Sequence, residues 1–440
     1  MLLLVAAAVA VGIVLYALFI NRIKGLPPGP PPFPLIGNML SIGAQPLKKV
    51  EEWKAKYGPV FTVWMPNPTV FITNKETLRE SLIQQGEVFA GRPSDVESMK
   101  LLLGGNYGLA LEENDVWKEQ RRFALHSLKE LGFRSARLQD TISGLASDAV
   151  ERMKETGGQP VELRPFFTFA VANVIWDLAF GRVVSFGDPL FQQVQKHLDV
   201  VMQLLVHPSM LLLSIHPKLL AALDSLLGGA LKKKVDANDE VLEILKNTTI
   251  TSLRFAIHRL INNPRVQKKM QKEIDENVGT KSIRMEDQKA LPYCCAVIQE
   301  VLRIGSESPA RGFNFTHHTL GEATVGGYHI PAGIDVVPEF QLVHHDENEF
   351  ERPLYFCPER HITDGAEFFK DPRVTPFSLG KRACLGESLA RMELFIFLTT
   401  FVQQFTFKSP TLIPPELKES TGFIKSPLPY KVLIVPRLFE

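Results

Sequence analysis

The first twenty residues, Met1 to Ile20, are almost all apolar and carry no charged side chain. A helix of this length rises about 30 Å, the thickness of a bilayer's hydrocarbon core. Arg22 and Lys24 follow at once and nothing basic precedes them, a bias that puts the bulk of the chain on the cytoplasmic side of a membrane. A cleaved signal peptide wants a basic segment ahead of its apolar run; without one, residues 1–20 read as an uncleaved anchor. Leu26-Pro-Pro-Gly-Pro-Pro-Pro-Phe-Pro34 comes next. Proline at this density is stiff, extended and short of backbone donors, so residues 21–34 read as a basic, proline-rich linker.

The body, residues 35–440, changes period several times. Val60–Trp64 and Thr69–Thr73 flank Met-Pro-Asn-Pro and predict a hairpin. From Glu112 to about Leu226 apolar residues recur at spacings of three and four, which predicts helices. Further helices are expected over Asp239–Asn262, over Arg265–Asn277 behind Pro264, and from just after Cys384 to about Phe401. Thr324–Ile330 with Gly333–Val337 predicts a second hairpin, and short strands near 405–407 and 430–435 close the chain. The expected fold is therefore mainly α with small β-sheets.

At 440 residues and 45% hydrophobic content the chain can bury a large core. Its 49 basic residues nearly match its 48 acidic ones, so no global field points to nucleic acid. The four cysteines, Cys294, Cys295, Cys357 and Cys384, are too few for a disulfide framework, and two are adjacent. That suits a reducing compartment. Asn247-Thr-Thr and Asn314-Phe-Thr would accept glycans only on a lumenal body.

The densest chemical signal is Phe377-Ser-Leu-Gly380-Lys-Arg382-Ala-Cys384-Leu-Gly386. A cysteine sits in a glycine-bracketed loop, an arginine lies two positions before it, and an apolar helix is expected just after. This suits a thiolate on heme iron: glycines allow close approach and positive φ, and thiolate pushes electron density toward the metal. Arg382 could pair with a heme propionate. Trp117 and Arg121, at i and i+4, share a helix face and can both donate hydrogen bonds to one carboxylate. Glu300 and Arg303, at i and i+3, form an acid–base pair on another helix.

These residues resemble the signature of the cytochrome P-450 family, microsomal animal type, and the resemblance spans nearly the whole chain. It implies the P-450 fold and heme b. Cys384 would ligate the iron within a loop shaped by Phe377, Gly380 and Gly386. Trp117, Arg121, Arg382 and His318 would hold the propionates. Glu300, Arg303 and Arg360 would form a buried ionic network. It further implies a monooxygenase, R–H + O2 + 2 e− + 2 H+ giving R–OH + H2O, acting on a xenobiotic, fatty acid or steroid. Electrons would come from NADPH through NADPH–cytochrome reductase, with cytochrome b5 a further candidate partner. Lys118, Arg122, Lys129 and Lys381 would add positive charge on the face that meets an acidic reductase. Membrane lipid would hold the anchor, placing the body on the cytoplasmic face of the endoplasmic reticulum. Substrate would touch the stretches around 98–109, 308–313 and 422–427.

The chain departs from the family at one place. The long central helix of relatives carries Ala-Gly-x-(Asp/Glu)-Thr-Thr over the heme. Here the nearest match is Ile244-Leu-Lys-Asn247-Thr248-Thr249, which lacks the Ala, the Gly and the acid. A block is expected to be missing near Asn247, leaving the central helix truncated and Thr248 and Thr249 as the remaining catalytic candidates. Two other functions fit that lesion: a hydroperoxide-using or -rearranging heme enzyme, and an impaired, membrane-anchored heme-binding protein.

Overall fold

The structure is a computed structural model that describes Gly12 and residues 25–33, 36–43, 46–65, 67–93, 108–130, 135–189, 241–305, 316–417 and 427–438, with side chains in the fifth long helix given from Thr248 onward. The expected anchor (but for Gly12) and most of the three substrate stretches lie outside the described residues. Among the described residues no helix is long and apolar enough to cross a membrane.

The long helices are α1 (Pro46–Tyr57), α2 (Asn114–Glu130), α3 (Ala136–Lys154), α4 (Arg164–Phe180), α5 (Val241–Asn262), α6 (Pro264–Asn277), α7 (Pro292–Ile304) and α8 (Glu387–Gln404). The strands are β1 (Val60–Trp64), β2 (Pro68–Ile72), β3 (Val161–Glu162), β4 (His317–His318), β5 (Ala323–Val325), β6 (Tyr328–Ile330), β7 (Asp335–Pro338), β8 (Phe405–Lys408) and β9 (Lys431–Pro436). The mainly α fold with small sheets is what the periodicity predicts. Local chemistry sets several boundaries. Proline occupies the first turn of α4, α6 and α7, where its missing N–H costs nothing. Gly181 ends α4 in the left-handed conformation.

One expected hairpin is drawn differently. Gly326 and Gly327 both have positive φ, which lets β5 turn straight into antiparallel β6. The second half of the expected pair, β7, instead lies parallel to β2 and antiparallel to β4, in a sheet of order β1-β2-β7-β4. Both faces of this sheet are covered. Val60, Val70, Ile72 and Val336 join one core cluster, while Phe61, Val63, Phe71 and Val337 join another with Val50 and Trp53 of α1. Alternation along the strands divides the two sets. The main core lies elsewhere, among α3 to α8 with β8 and β9. α4 threads its middle, with every residue from Phe169 to Trp176 buried.

Charges inside this core are matched. Glu300 on α7 is fully buried and accepts from Arg303 Nε and Nη2, both at 2.8 Å. Arg360 Nε donates to it at 3.2 Å, the Cys357 amide at 3.0 Å, and His361 Nε2 lies at 2.9 Å. Arg303 also donates to the Pro353 carbonyl at 2.6 Å. The cluster ties α7 to residues 344–361, and His361 is a member that sequence reasoning did not foresee. Burial alone would raise the Glu300 carboxyl, but the hydrogen bonds from Arg303 and His361 outweigh it and hold the group at about 2. A folded-state value below the unfolded one, about 4.3, means stability that is full above the unfolded value and lost as pH falls toward 2. Arg303→Ala should cost about 3–5 kcal/mol in denaturant unfolding at neutral pH by stranding a buried carboxylate. That deficit should shrink on acidification toward pH 2; a deficit independent of pH would contradict the account.

Candidate heme-binding site

The Cys384 loop is built by backbone constraint. Gly380 has φ of 73°, and a Cβ there would lie 1.8 Å from the Leu82 carbonyl oxygen. Only glycine fits so close to the helical turn beneath. Ser378 is also left-handed, with φ of 65°. The Cys384 amide then donates to the Phe377 carbonyl at 2.8 Å, closing the loop. Phe377 packs on the main core with Arg391 over its ring at 5.1 Å. Gly386 differs from expectation: as the residue before α8 its φ is −86°, which any residue adopts, so its place owes nothing to positive φ.

Arg382 is buried and pinned by three carbonyls: Nε to Ala90 at 2.7 Å, Nη1 to Leu109 at 3.3 Å and Nη2 to Glu112 at 2.7 Å. Its guanidinium lies 3.8 Å from the Trp117 ring centroid, and that of Arg121 lies 5.8 Å away. Arg121 Nη2 donates to the Ala383 carbonyl at 2.7 Å, so α2 grips the residue next to the cysteine. The structure thus brings Trp117, Arg121, Arg382 and Cys384 together.

It also adds two residues that the sequence did not single out. Arg92 is buried, donates through Nε to the Ala110 carbonyl at 2.9 Å, and receives the Glu113 carboxylate on its amide at 3.1 Å. Burial, then Arg382 and Arg121, push its guanidinium down to about 9. Arg382 is lowered to about 10 by burial and Arg121. His317 is buried with Nδ1 2.6 Å from the Phe89 carbonyl, and burial plus Arg92 push its imidazole down to about 3. His317 is therefore neutral among the arginines. His318, expected at a propionate, has its Nδ1 2.8 Å from Asp335. Adjacent residues of a strand point to opposite faces, so β4 turns His317, not His318, toward the cluster.

Cys384 is exposed, although the protein around it still desolvates the sulfur in part. Burial pushes its thiol up; the Gly386 amide opposes this, the Glu387 carboxylate adds to it, and Arg121 and the Glu387 amide lower it again. Alone the sulfur keeps its proton. Two amides and a guanidinium favour the thiolate in part, and a metal cation would complete the shift.

On α5, Thr249 is buried and its hydroxyl donates to Glu393 Oε2 of α8 at 2.9 Å. Glu393 is buried too, and burial pushes its carboxyl up to about 8 against the Thr249 hydrogen bond. Thr248 is half-buried. The expected basic face is partly matched by acids: Lys381 pairs with Glu87 at 2.7 Å and Lys118 with Asp115 at 3.3 Å.

The family model for cytochrome P450 matches residues 27–247 and again 246–434. The chain belongs to the cytochrome P450 family. Among curated proteins it is 35% identical to the probable cytochrome P450 CYP36A1 of Caenorhabditis elegans, over 94% of this chain and 95% of that one. It is 31% identical to cytochrome P450 2C5 of Oryctolagus cuniculus (93% and 94% covered) and to cytochrome P450 2J3 of Rattus norvegicus (95% and 93% covered). The C. elegans alignment runs over 474 positions, more than the 440 residues here, so that relative has residues with no counterpart in this chain. The two matched blocks meet at 246–247.

P450 proteins bind heme b, and the residues present fit that group. Cys384 is an exposed residue. Trp117 Nε1 is a buried donor with no partner. Three crowded guanidiniums, each depressed in pKa by burial, suit a ligand that brings carboxylates. Gly380→Ala should cost at least about 2 kcal/mol, because strain and clash coincide. Denaturant unfolding measures it; a cost under about 0.5 kcal/mol would contradict the close approach.

Proposed function

We propose that this P450 is a heme-thiolate monooxygenase of lipophilic substrates whose oxygen-handling helix is cut short at Asn247. The observation that carries the reading is Cys384: an exposed cysteine in a loop held by Gly380, beside a buried set of arginines. Heme, when bound, would supply the redox chemistry. The residues of the chain do the holding. Cys384 would ligate iron through Sγ. Trp117 Nε1 and the guanidiniums of Arg92, Arg121 and Arg382 would meet the propionates, with neutral His317 beside them. Its one N–H is committed to the Phe89 carbonyl, so His317 fills space beside the cluster without adding charge to it.

Proton supply is where this chain differs. Asn247 stands where relatives carry an acid, and an amide cannot release a proton at neutral pH. Thr248 remains as the hydroxyl that would face the ligand, while Thr249 is turned to Glu393. Electrons are expected from NADPH through a reductase docked on the cysteine side, where Arg122 and Lys129 are exposed. Cytochrome b5 would compete for that face. The apolar residues 1–20 with Arg22 and Lys24 behind them support membrane lipid as a partner and a body on the cytoplasmic face of the endoplasmic reticulum.

A second reading draws on the same place. An enzyme fed by a hydroperoxide needs no acid to protonate bound oxygen, and Asn247 is compatible with that. The two are separated by measuring product and peroxide with NADPH and reductase, and product from an organic hydroperoxide without them. The monooxygenase reading expects NADPH-dependent product, with most reducing equivalents lost as peroxide. Replacing Asn247 with Glu should shift electrons from peroxide to product. Tight coupling in the unaltered chain would contradict the lesion at 247, and product from hydroperoxide alone would favour the second reading.

A further inference from the structure

Every residue of α5 from Thr249 to His258 is buried. A helix buried on all sides has no apolar stripe to say which way it is turned. Its rotation is then set by how its side chains interlock and by directional contacts, of which hydrogen bonds are the sharpest. Three such anchors lie along it. His258 Nε2 is 2.8 Å from the Pro415 carbonyl, Arg254 Nη2 donates to the Pro427 carbonyl at 2.6 Å, and Thr249 donates to Glu393 at 2.9 Å. The Thr249 anchor is the one nearest the junction at 246–247. The other two begin more than a turn further on.

We infer that Glu393 is a positioning residue that, by gripping the Thr249 hydroxyl, fixes the rotation of α5 and so the direction in which Thr248 is presented. Thr248 is one residue earlier, about 100° round the helix. A slip of that size would exchange the two threonines. The inference rests on the proposed role of Thr248 as the ligand-facing hydroxyl.

Glu393 suits the task. It sits within a run of buried α8 residues, Met392 to Thr399, so its backbone is held by core packing. No ionised group is among the influences on its carboxyl. Raised to about 8 by burial, the carboxyl is mostly neutral at physiological pH and holds Thr249 largely without a buried charge. Its second oxygen, Oε1, is buried without a partner, so the whole polar interaction of this side chain is committed to α5.

The test uses the full chain and five variants: Thr249→Val, Thr249→Ser, Glu393→Gln, Glu393→Leu, and Thr249→Val with Glu393→Leu. Hydrogen exchange over residues 248–254, the melting temperature and the peroxide-to-product ratio are read for each. The double variant separates positioning from space-filling, because two apolar side chains leave no polar group stranded and stability returns. The inference expects the double variant to melt near the parent while exchanging roughly tenfold faster over 248–254 and releasing more peroxide. Thr249→Ser should restore parental exchange and coupling, and Glu393→Gln, whose amide oxygen still accepts, should stay close to them. The inference is overturned if the double variant matches the parent in both readouts, or if Thr249→Val alone leaves exchange unchanged. Should a single apolar variant fail to fold, the double and serine variants still decide. A parent without bound heme would overturn the proposed function, while the exchange data would still judge the clamp.

Discussion

Taking the guanidinium of Arg382 out of water is the constraint around which this site is arranged. A buried cation is tolerated only when its donors are met. Here the carbonyls of Ala90, Leu109 and Glu112 take three of its five N–H groups, all from chain some 270 to 292 residues upstream, and leave the rest for a ligand's carboxylate. That grip closes the cysteine loop onto the segment leading into α2. It sets the guanidinium against Trp117 and leaves Arg121 to hold the Ala383 carbonyl. Gly380 makes the approach possible by pressing against Leu82. The exposed cysteine, the crowded arginines and the orphaned indole N–H are all consequences of this one docking.

The same logic of matched burial separates scaffold from chemistry. Glu300 is surrounded by donors and held well below the usual carboxylate range, so it serves as a fixed charge within the scaffold. Glu393 has one hydroxyl and is pushed up. The first lies in an assembly that joins α7 to the loops around residue 355. The second joins α5 to α8 near the place where the two family-matched blocks meet. Two buried acids of similar exposure thus play different parts because their neighbours differ.

Legibility followed the range of the interactions. Spacings within one segment could be read directly: the cysteine loop, Trp117 with Arg121, Glu300 with Arg303, and the proline-started helices. The shared network of Glu300, Arg303 and Arg360 was reached by resemblance, and the three are indeed in contact. Arg92 gave no local signal, because its partners come from the segment leading into α2 and from the residue before β4. His317 and His318 differ only by strand parity, and which one turns inward depends on where β4 pairs with β7. The two-glycine turn at Gly326-Gly327 marks the hairpin, while the run of β-formers on both sides of Pro331 suggests a wider one that the pairing of β7 with β2 and β4 replaces. Glu393 carried a readable hint, an acid embedded in Met-Glu-Leu-Phe-Ile-Phe, but the hydroxyl that explains it lies 144 positions away.

The direct test of the account is the absorption of the reduced, carbon monoxide-bound protein beside its Cys384→Ser variant. The account predicts that the full chain, purified with heme, shows the red-shifted band that gives the family its name. It predicts that the serine variant loses that band, even where the arginine cluster still retains heme. An unchanged spectrum on replacing that sulfur, or no thiolate-type band in a heme-loaded parent, would contradict the assignment of Cys384 as the axial ligand.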